Sequence, residues 1–529
     1  MKKYLALGLL SLWGAVSFAQ DALKPEIIPD ATARKMSTDG KWVACYGMSL
    51  VVYNVENQNN YVYNECSLGI GNSLAIDGTL VGSQGDLAVF MKDGKITYPE
   101  VIVDNGFGAF NAITSDGTRV TGFVKNPVFM EDDSLEEYED NITVNIPFWA
   151  DVTPDGKIEK INLLPYPEKD FLGSAPMYVT GEWISEDGKT ILGKMTDSYG
   201  RFEDPVVFLE DENGEWSCTT PTKPFFNPKD IKIPENPWLN YPKEPVYKDY
   251  MTGLKYQAYL EALNKYLFEG GPEVDPFDYM TEEAAQKYIE DYKAYENYFY
   301  DHKDEIDAYE EAYRELLASS VYFRESALDP SGTIFVTTAV NYDDEGKDIP
   351  SRVITFNAQT GDYKEFESQY SDLKIHQVLT DGTVLAYTGL FTYDALQGYI
   401  LLPGESEFMP FSDYLAVINP EYAQWLEEYF PLGEGIISAS QDLTVFAGGV
   451  DILSMDDPSL AGDSTILSYV LPAVQPSGVE SIADSFDDDF YRIYNMTGIK
   501  VLETKDKSEL NNLGKGIYII NGKKVMIGK

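Results

Sequence analysis

Ile184-Ser185-Glu186-Asp187-Gly188-Lys189-Thr190-Ile191-Leu192-Gly193 is the stretch on which the fold turns. The Asp caps a tight turn with its side chain, the Gly supplies a positive φ, and alternating apolar residues flank both. That is a β-hairpin. The phrase recurs upstream as Ser37-Thr38-Asp39-Gly40 (within 36–44), Ala75-Ile76-Asp77-Gly78 (75–82) and Thr114-Ser115-Asp116-Gly117 (113–122). Looser copies follow as Asp329-Pro330-Ser331-Gly332 (328–334), Thr380-Asp381-Gly382 (379–384) and Ser440-Gln441-Asp442-Leu443 (438–445).

Most copies are followed by a second apolar run, a turn and another short strand, as at 50–54, 87–94, 148–152, 206–209, 353–357 and 399–402. Two hairpins make a four-stranded unit that cannot bury both faces alone, so such units stack around an axis. The expected fold is mainly β, a propeller of about seven blades over residues 20–472. A β-solenoid needs shorter and more regular repeats, and a pair of β-sandwiches is the runner-up. The seventh unit stops near Pro472 without an outer strand, whereas residues 25–29 resemble the outer-strand segment 98–102. The N-terminal segment is therefore expected to close the ring beside the last blade.

The phrase Ser-x-Asp-Gly-Lys followed by an apolar residue resembles the repeat of TolB-like propellers and of other extracytoplasmic propellers of Bacteroidetes. The resemblance covers residues 30–472 and implies architecture rather than activity. Gly directly follows Asp here, unlike the sialidase Asp-box, so no sialidase chemistry is implied.

Residues 1–19 read as a secretory signal. Lys2 and Lys3 precede an apolar run too short for a permanent span, and Ser17 and Ala19 stand three and one positions before the expected cut. An uncleaved anchor is the alternative. No Cys follows the run, and no later stretch is apolar enough to span a membrane. The chain is expected outside the cytoplasm, secreted or on the outer cell surface, with the periplasm as the alternative. A formal charge of −47 repels nucleic acid and anionic lipid. Solubility explains that charge most simply, while a cationic partner or weak calcium binding are sharper readings, and no cofactor is expected. Cys45, Cys66 and Cys218 are too few for a disulfide scaffold. A Cys45–Cys66 bridge would have to join strands that are not neighbours, and small buried hydrophobes fit better.

Residues 244–320 break the β pattern, with helical spacing over 247–268, 281–300 and 303–319. Thr281 is placed to cap the second helix, ahead of Glu282 and Glu283. Its Tyr288, Tyr292, Tyr295 and Tyr298 are either packing residues or a partner surface. The acidic stretch 131–140 lacks the spacing of an EF-hand loop and reads as a solvated insertion.

Residues 473–489 read as a linker, and 490–529 as a small β module of two hairpins over 491–502 and 513–527. This tail resembles the C-terminal sorting domain of type IX secretion cargo. The match lies in the turn ending at Gly498, the strand Lys515-Gly516-Ile517-Tyr518 and the final Lys529, and the usual Pro-Asn-Pro strand upstream is missing. The resemblance implies sorting to the cell surface, against the simpler reading of a capping module.

His302 and His376 are the only histidines. No His-Glu-x-x-His, paired Cys, Gly-x-Ser-x-Gly elbow or phosphate-binding loop occurs, and Gly462-Asp463-Ser464 reads as a turn. The balance favours a non-catalytic binding or scaffold propeller engaging a protein or glycan. One alternative is a carbohydrate-active enzyme using two carboxylates, which calls for a deep axial pocket lined by acids and aromatics. The other is a periplasmic assembly factor like TolB in role.

Overall fold

The computed structural model describes residues 24–47, 49–99, 108–127, 143–167, 176, 178–196, 203–225, 229–340, 352–370, 372–389, 396–430, 433–452, 465–472, 474, 491–495, 500–505, 516–520 and 523–527. They form two compact units, 1–223 with 321–529, and Pro224–Ser320.

The first unit is a β-propeller of seven four-stranded blades. Blade 1 runs Ala31–Met36, Trp42–Gly47, Leu50–Asn54 and Asn60–Tyr63 from the inside outward. Blades 2, 3, 5 and 6 have innermost strands Cys66–Leu68, Gly108–Ile113, Tyr322–Leu328 and Lys374–Val378. Blade 4 comprises Tyr178–Ile184, Thr190–Thr196, Glu203–Glu210 and Trp216–Thr219, and one parallel bridge, Asn145 to Tyr178, joins it to blade 3. Blade 7 has three strands from its own sequence, ending at Thr465–Leu471. Its outer strand is Glu26–Pro29, antiparallel to that strand with Ile27 opposite Tyr469.

Every repeat forms the turn between the first two strands of its blade. In blade 4, Ser185 Oγ donates to Asp187 Oδ1 (2.6 Å) and accepts from Thr190 N (3.0 Å), while Gly188 turns at φ 71°. Blades 1, 3 and 7 repeat this bonding with Ser37, Thr114 and Ser440. In blade 5 Asp329 stands in the Ser position and accepts from Ile334 N itself (2.7 Å). The turns also reach one another. Gln441 N donates to Thr38 O (2.9 Å), Ile76 N to Ser115 O (2.9 Å) and Glu186 N to Pro330 O (2.7 Å). Apolar clusters fill the gaps between successive blades, Phe110 and Phe148 between blades 2 and 3, and Ile28, Val43 and Val470 between blades 7 and 1.

Cys45 and Cys66 are buried free thiols on blades 1 and 2, and Cys218 is a partly buried one. Burial pushes the Cys45 thiol up to about 12.

Periodicity gave no sign of a helical pair, α4 (Phe411–Ile418) and α5 (Pro420–Tyr429), ahead of blade 7. Phe411, Leu415 and Leu426 pack with Phe446, Tyr469 and Leu471 of that blade. Eight and ten residues are too short for the apolar period to stand out, and only Asn419, capping Tyr422 N (3.1 Å), marks a start.

The second unit begins earlier than the sequence pattern indicates, because its first segments are short 3-10 turns, such as Pro237–Asn240, without periodicity. Its helices are α1 (Gly253–Glu269), α2 (Glu282–Asp301) and α3 (Lys303–Ser319). Thr281 caps α2 by accepting from Ala284 N (3.2 Å), and Gly270 ends α1 at φ 71°.

In the tail, Lys500–Thr504, Tyr491–Asn495, Gly516–Ile520 and Lys523–Ile527 form one four-stranded antiparallel sheet in that order. Among the described residues no helix is long and apolar enough to cross a membrane.

Candidate functional site

The innermost strands carry an irregularity that the turns do not. Pairing with the second strand slips between Ala33 and Lys35, Phe110 and Ala112, Gly181 and Trp183, Phe323 and Ser326, and Ile375 and Gln377. Such bulges re-aim a side chain out of the regular alternation. The bulged residues are Arg34, Asn111, Glu182, Arg324 with Glu325, and His376, all of them polar. Arg34, Asn111, Glu182 and His376 each stand three positions before the first residue of the turn motif, and Asn72 holds that offset in blade 2.

Some of these residues tie blades together. Asn72 Nδ2 donates to Ile113 O (3.2 Å) and Ile184 O (2.8 Å), and its Oδ1 accepts from Ile184 N (3.0 Å). Asn111 Nδ2 donates to Gly181 O (2.8 Å). His376 Nε2 lies 2.9 Å from Ser438 Oγ, which itself lies 3.1 Å from Arg34 O. Burial, with Lys35 and Arg34 nearby, holds the His376 pKa well below its ordinary value.

Two cavities lie on the axis and share Lys35, Trp183 and His376. The one at the turn end, by Thr38, Ser115 and Gln441, is narrow, about 50 Å³. The one at the opposite end holds about 270 Å³ and extends along blade 4 to Lys194, Glu203 and Asp204, with Arg324, Glu325 and Tyr387 on its other side. Lys35, Trp183 and His376 form the layer between them, with Lys35 Nζ 4.9 Å from the centre of the Trp183 ring and donating to Ile70 O (2.5 Å).

The larger cavity concentrates displaced titrations. Burial pushes the Asp204 carboxyl up to about 7, only partly relieved by the Thr222 hydroxyl. Burial also raises Glu182, although Lys194 lies 3.6 Å away. Lys35 is drawn down to about 7 by burial and by Arg34. Burial lowers Lys194 too, but Glu182 and Glu203 outweigh it and the net shift is upward. A desolvated pair of acids beside a lysine of lowered pKa, in a cavity, is the combination that marks sites of binding or proton transfer. None of these residues was singled out as a site in the sequence. The signal was the polar residue recurring three positions before the turn motif in five of the blades, as Arg34, Asn72, Asn111, Glu182 and His376.

The residues that the sequence did single out lie elsewhere. Tyr288 and Tyr298 are buried inside the lobe, where Tyr288 stacks on Tyr247 (4.8 Å between ring centres) and Tyr298 donates to Pro237 O (2.6 Å). These two are packing, because each ring is enclosed by its own unit. Tyr292 and Tyr295 are half-buried in the same chain of rings. Gly516, Ile517 and Tyr518 lie on the third tail strand in chain order, whereas Ala19, Gly498, Lys515, Lys529 and the acidic stretch 131–140 lie outside the described residues. Among the described residues no group of three or more His, Cys, Asp or Glu is placed to hold a metal ion.

No family model and no curated relative matches the sequence. Among solved structures the chain is similar to the Dos1 propeller, at 9% identity and a TM-score of 0.37, over 85% of this chain and 94% of that one. It is also similar to the β-propeller domain of the Trilobed protease from Pyrococcus furiosus, at 9% identity and a TM-score of 0.32, over 74% of this chain and 84% of that one. A structure from work on prolyl endopeptidases matches at 11% identity and a TM-score of 0.34, over 73% of this chain but 41% of that one. These likenesses are to propellers, and no residue, ligand or activity is carried over from them.

Proposed function

We propose that this propeller is an exported binding protein that receives the end of a glycan in the axial cavity bounded by Glu182, Asp204, Lys35 and Arg324. The observation that carries the reading is the set of bulges that turn polar side chains of both signs onto one axis. Sugar hydroxyls both donate and accept, and a wall of carboxylates interleaved with Lys and Arg serves both directions. Titration of the full chain with a glycan panel tests this. A saturable ligand whose affinity falls at least tenfold in Glu182→Gln and Lys35→Met supports the reading, and binding indifferent to both substitutions removes it.

A second reading, hydrolysis by paired carboxylates, is favoured by Asp204 alone, whose carboxyl is held near 7 beside Glu182 and Glu203. It predicts release of reducing ends from the bound glycan, abolished in Asp204→Asn.

Export belongs to the same proposal and is supported by the sequence pattern of residues 1–19. Sorting by the tail is supported by its motif around Gly498 and Lys515 to Tyr518 and by its compact antiparallel sheet. Mass spectrometry of the mature N-terminus is expected to show cleavage after Ala19. Deleting 490–529 is expected to leave the protein in the periplasm. Unchanged surface display in that strain overturns the sorting role.

A further inference from the structure

A third cavity, of about 550 Å³, lies between α4, α5 and the loop at Gly433 and Glu434. Pro420, Leu426 and Phe430 form its apolar wall, while Asp413 and Glu427 stand exposed at its rim and Glu434 lies inside. No Lys, Arg or His lines it.

Glu434 is the unusual member. It is 7% exposed, and among the described residues its Oε2 has no hydrogen-bond partner. Its main chain is fixed on both sides, since Tyr469 Oη donates to Glu434 O (2.9 Å) and Gly435 N to Leu396 O (2.9 Å). Gly435 sits at φ 76°, and a Cβ there would come 1.7 Å from Gly449 O, so the backbone next to Glu434 packs closely on blade 7. A buried carboxylate oxygen without a partner is costly, and a cation entering the cavity would offset that cost. Among the described residues no three acids are gathered as a metal ion would require, and Leu426 and Phe430 give the cavity apolar wall beside the polar Gln397, Ser412 and Gln424.

We infer that this cavity takes an organic cation with an apolar stem, its guanidinium or ammonium head on Glu434 and its stem along Leu426 and Phe430, with Asp413 and Glu427 drawing it in. The inference is independent of the axial site.

The test is calorimetric titration of the full chain with N-acetylargininamide and with putrescine. Saturable one-site binding of either supports the inference, with argininamide alone pointing to a basic side chain of a protein partner and putrescine alone to a free polyamine. Glu434→Gln is expected to weaken binding at least tenfold, and Glu427→Lys, on the exposed face of α5, by a similar factor through repulsion. Glu427→Lys keeps the test valid should the buried substitution fail to fold. No saturable binding of either probe, or affinity unchanged in the folded variants, overturns it.

Discussion

The turns that join the first two strands of each blade and the bulges that precede them in five blades follow opposite rules. The turns do one job with interchangeable chemistry. Ser185, Thr114 and even Asp329 each accept the same backbone N–H, and a left-handed residue follows. At the bulges the geometry recurs while the side chain changes, so Asn111 ties blades together, Glu182 faces a cavity and His376 holds Ser438. A repeat can thus fix a scaffold at one offset and leave a neighbouring offset free for function.

Substitutions can break or sharpen this contrast, and the largest effect is expected at the axial cavity. Asp204 keeps its proton to about pH 7 in the folded chain, whereas an unfolded chain loses it near pH 4. Between those values the folded state binds the extra proton, so stability falls as pH rises, by about 4 kcal/mol in all. Asp204→Asn is expected to flatten that limb in urea unfolding at pH 4.5 to 7.5, and a slope equal to wild type would show that the carboxyl is not desolvated. Lys35 acts in the opposite sense. Its folded pKa is lowered to about 7, so the stability it withholds returns as pH rises above 7.

Next comes Asn72→Ala, which strips three hydrogen bonds from blades 3 and 4 and leaves Ile184 N–H and C=O to find other partners. A loss of about 3 kcal/mol is expected by thermal or urea unfolding. That would place one of these offsets firmly with the scaffold. A neutral result would return it to the functional set.

Gly78→Ala and Gly382→Ala separate two roles of the turn glycine. Both sit at positive φ, but a Cβ at Gly78 meets the Trp42 ring at 2.7 Å while nothing lies within 4 Å of Gly382. The first should cost about 2 kcal/mol or more and the second about 1 kcal/mol. Equal losses would mean that φ alone matters. The smallest effect is expected at Leu443, the one repeat turn where a side chain replaces Gly, at φ 59°. Leu443→Gly relieves about 1 kcal/mol of strain but gives up burial against the α4 cluster, for a net loss of about 0.5 kcal/mol.

The sequence made the turns legible because their requirements are local: a short polar acceptor, a Gly, and alternation on either side. The strand that closes blade 7 was legible by elimination, from a last unit one strand short. The axial site was not read, since a lone Glu182 or His376 in a strand looks like ordinary surface until the bulge and the neighbouring blades give it a direction. Pair α4–α5 was hidden by its brevity. In the lobe the tyrosine spacing was plain, but spacing could not say that Tyr288 and Tyr298 turn inward onto Tyr247 and Pro237.

The pairing of Glu26–Pro29 with Thr465–Leu471 has a consequence in time. Residues 26–29 find their partner strand only when almost the whole propeller has been synthesised. Until then blade 7 and residues 26–29 both present open edges, the kind of surface on which chains pair with the wrong neighbour. Closure over so long a sequence separation is slow. A chain cut before residue 465 would leave those edges permanently open, so the propeller's resistance to aggregation is acquired at its last step.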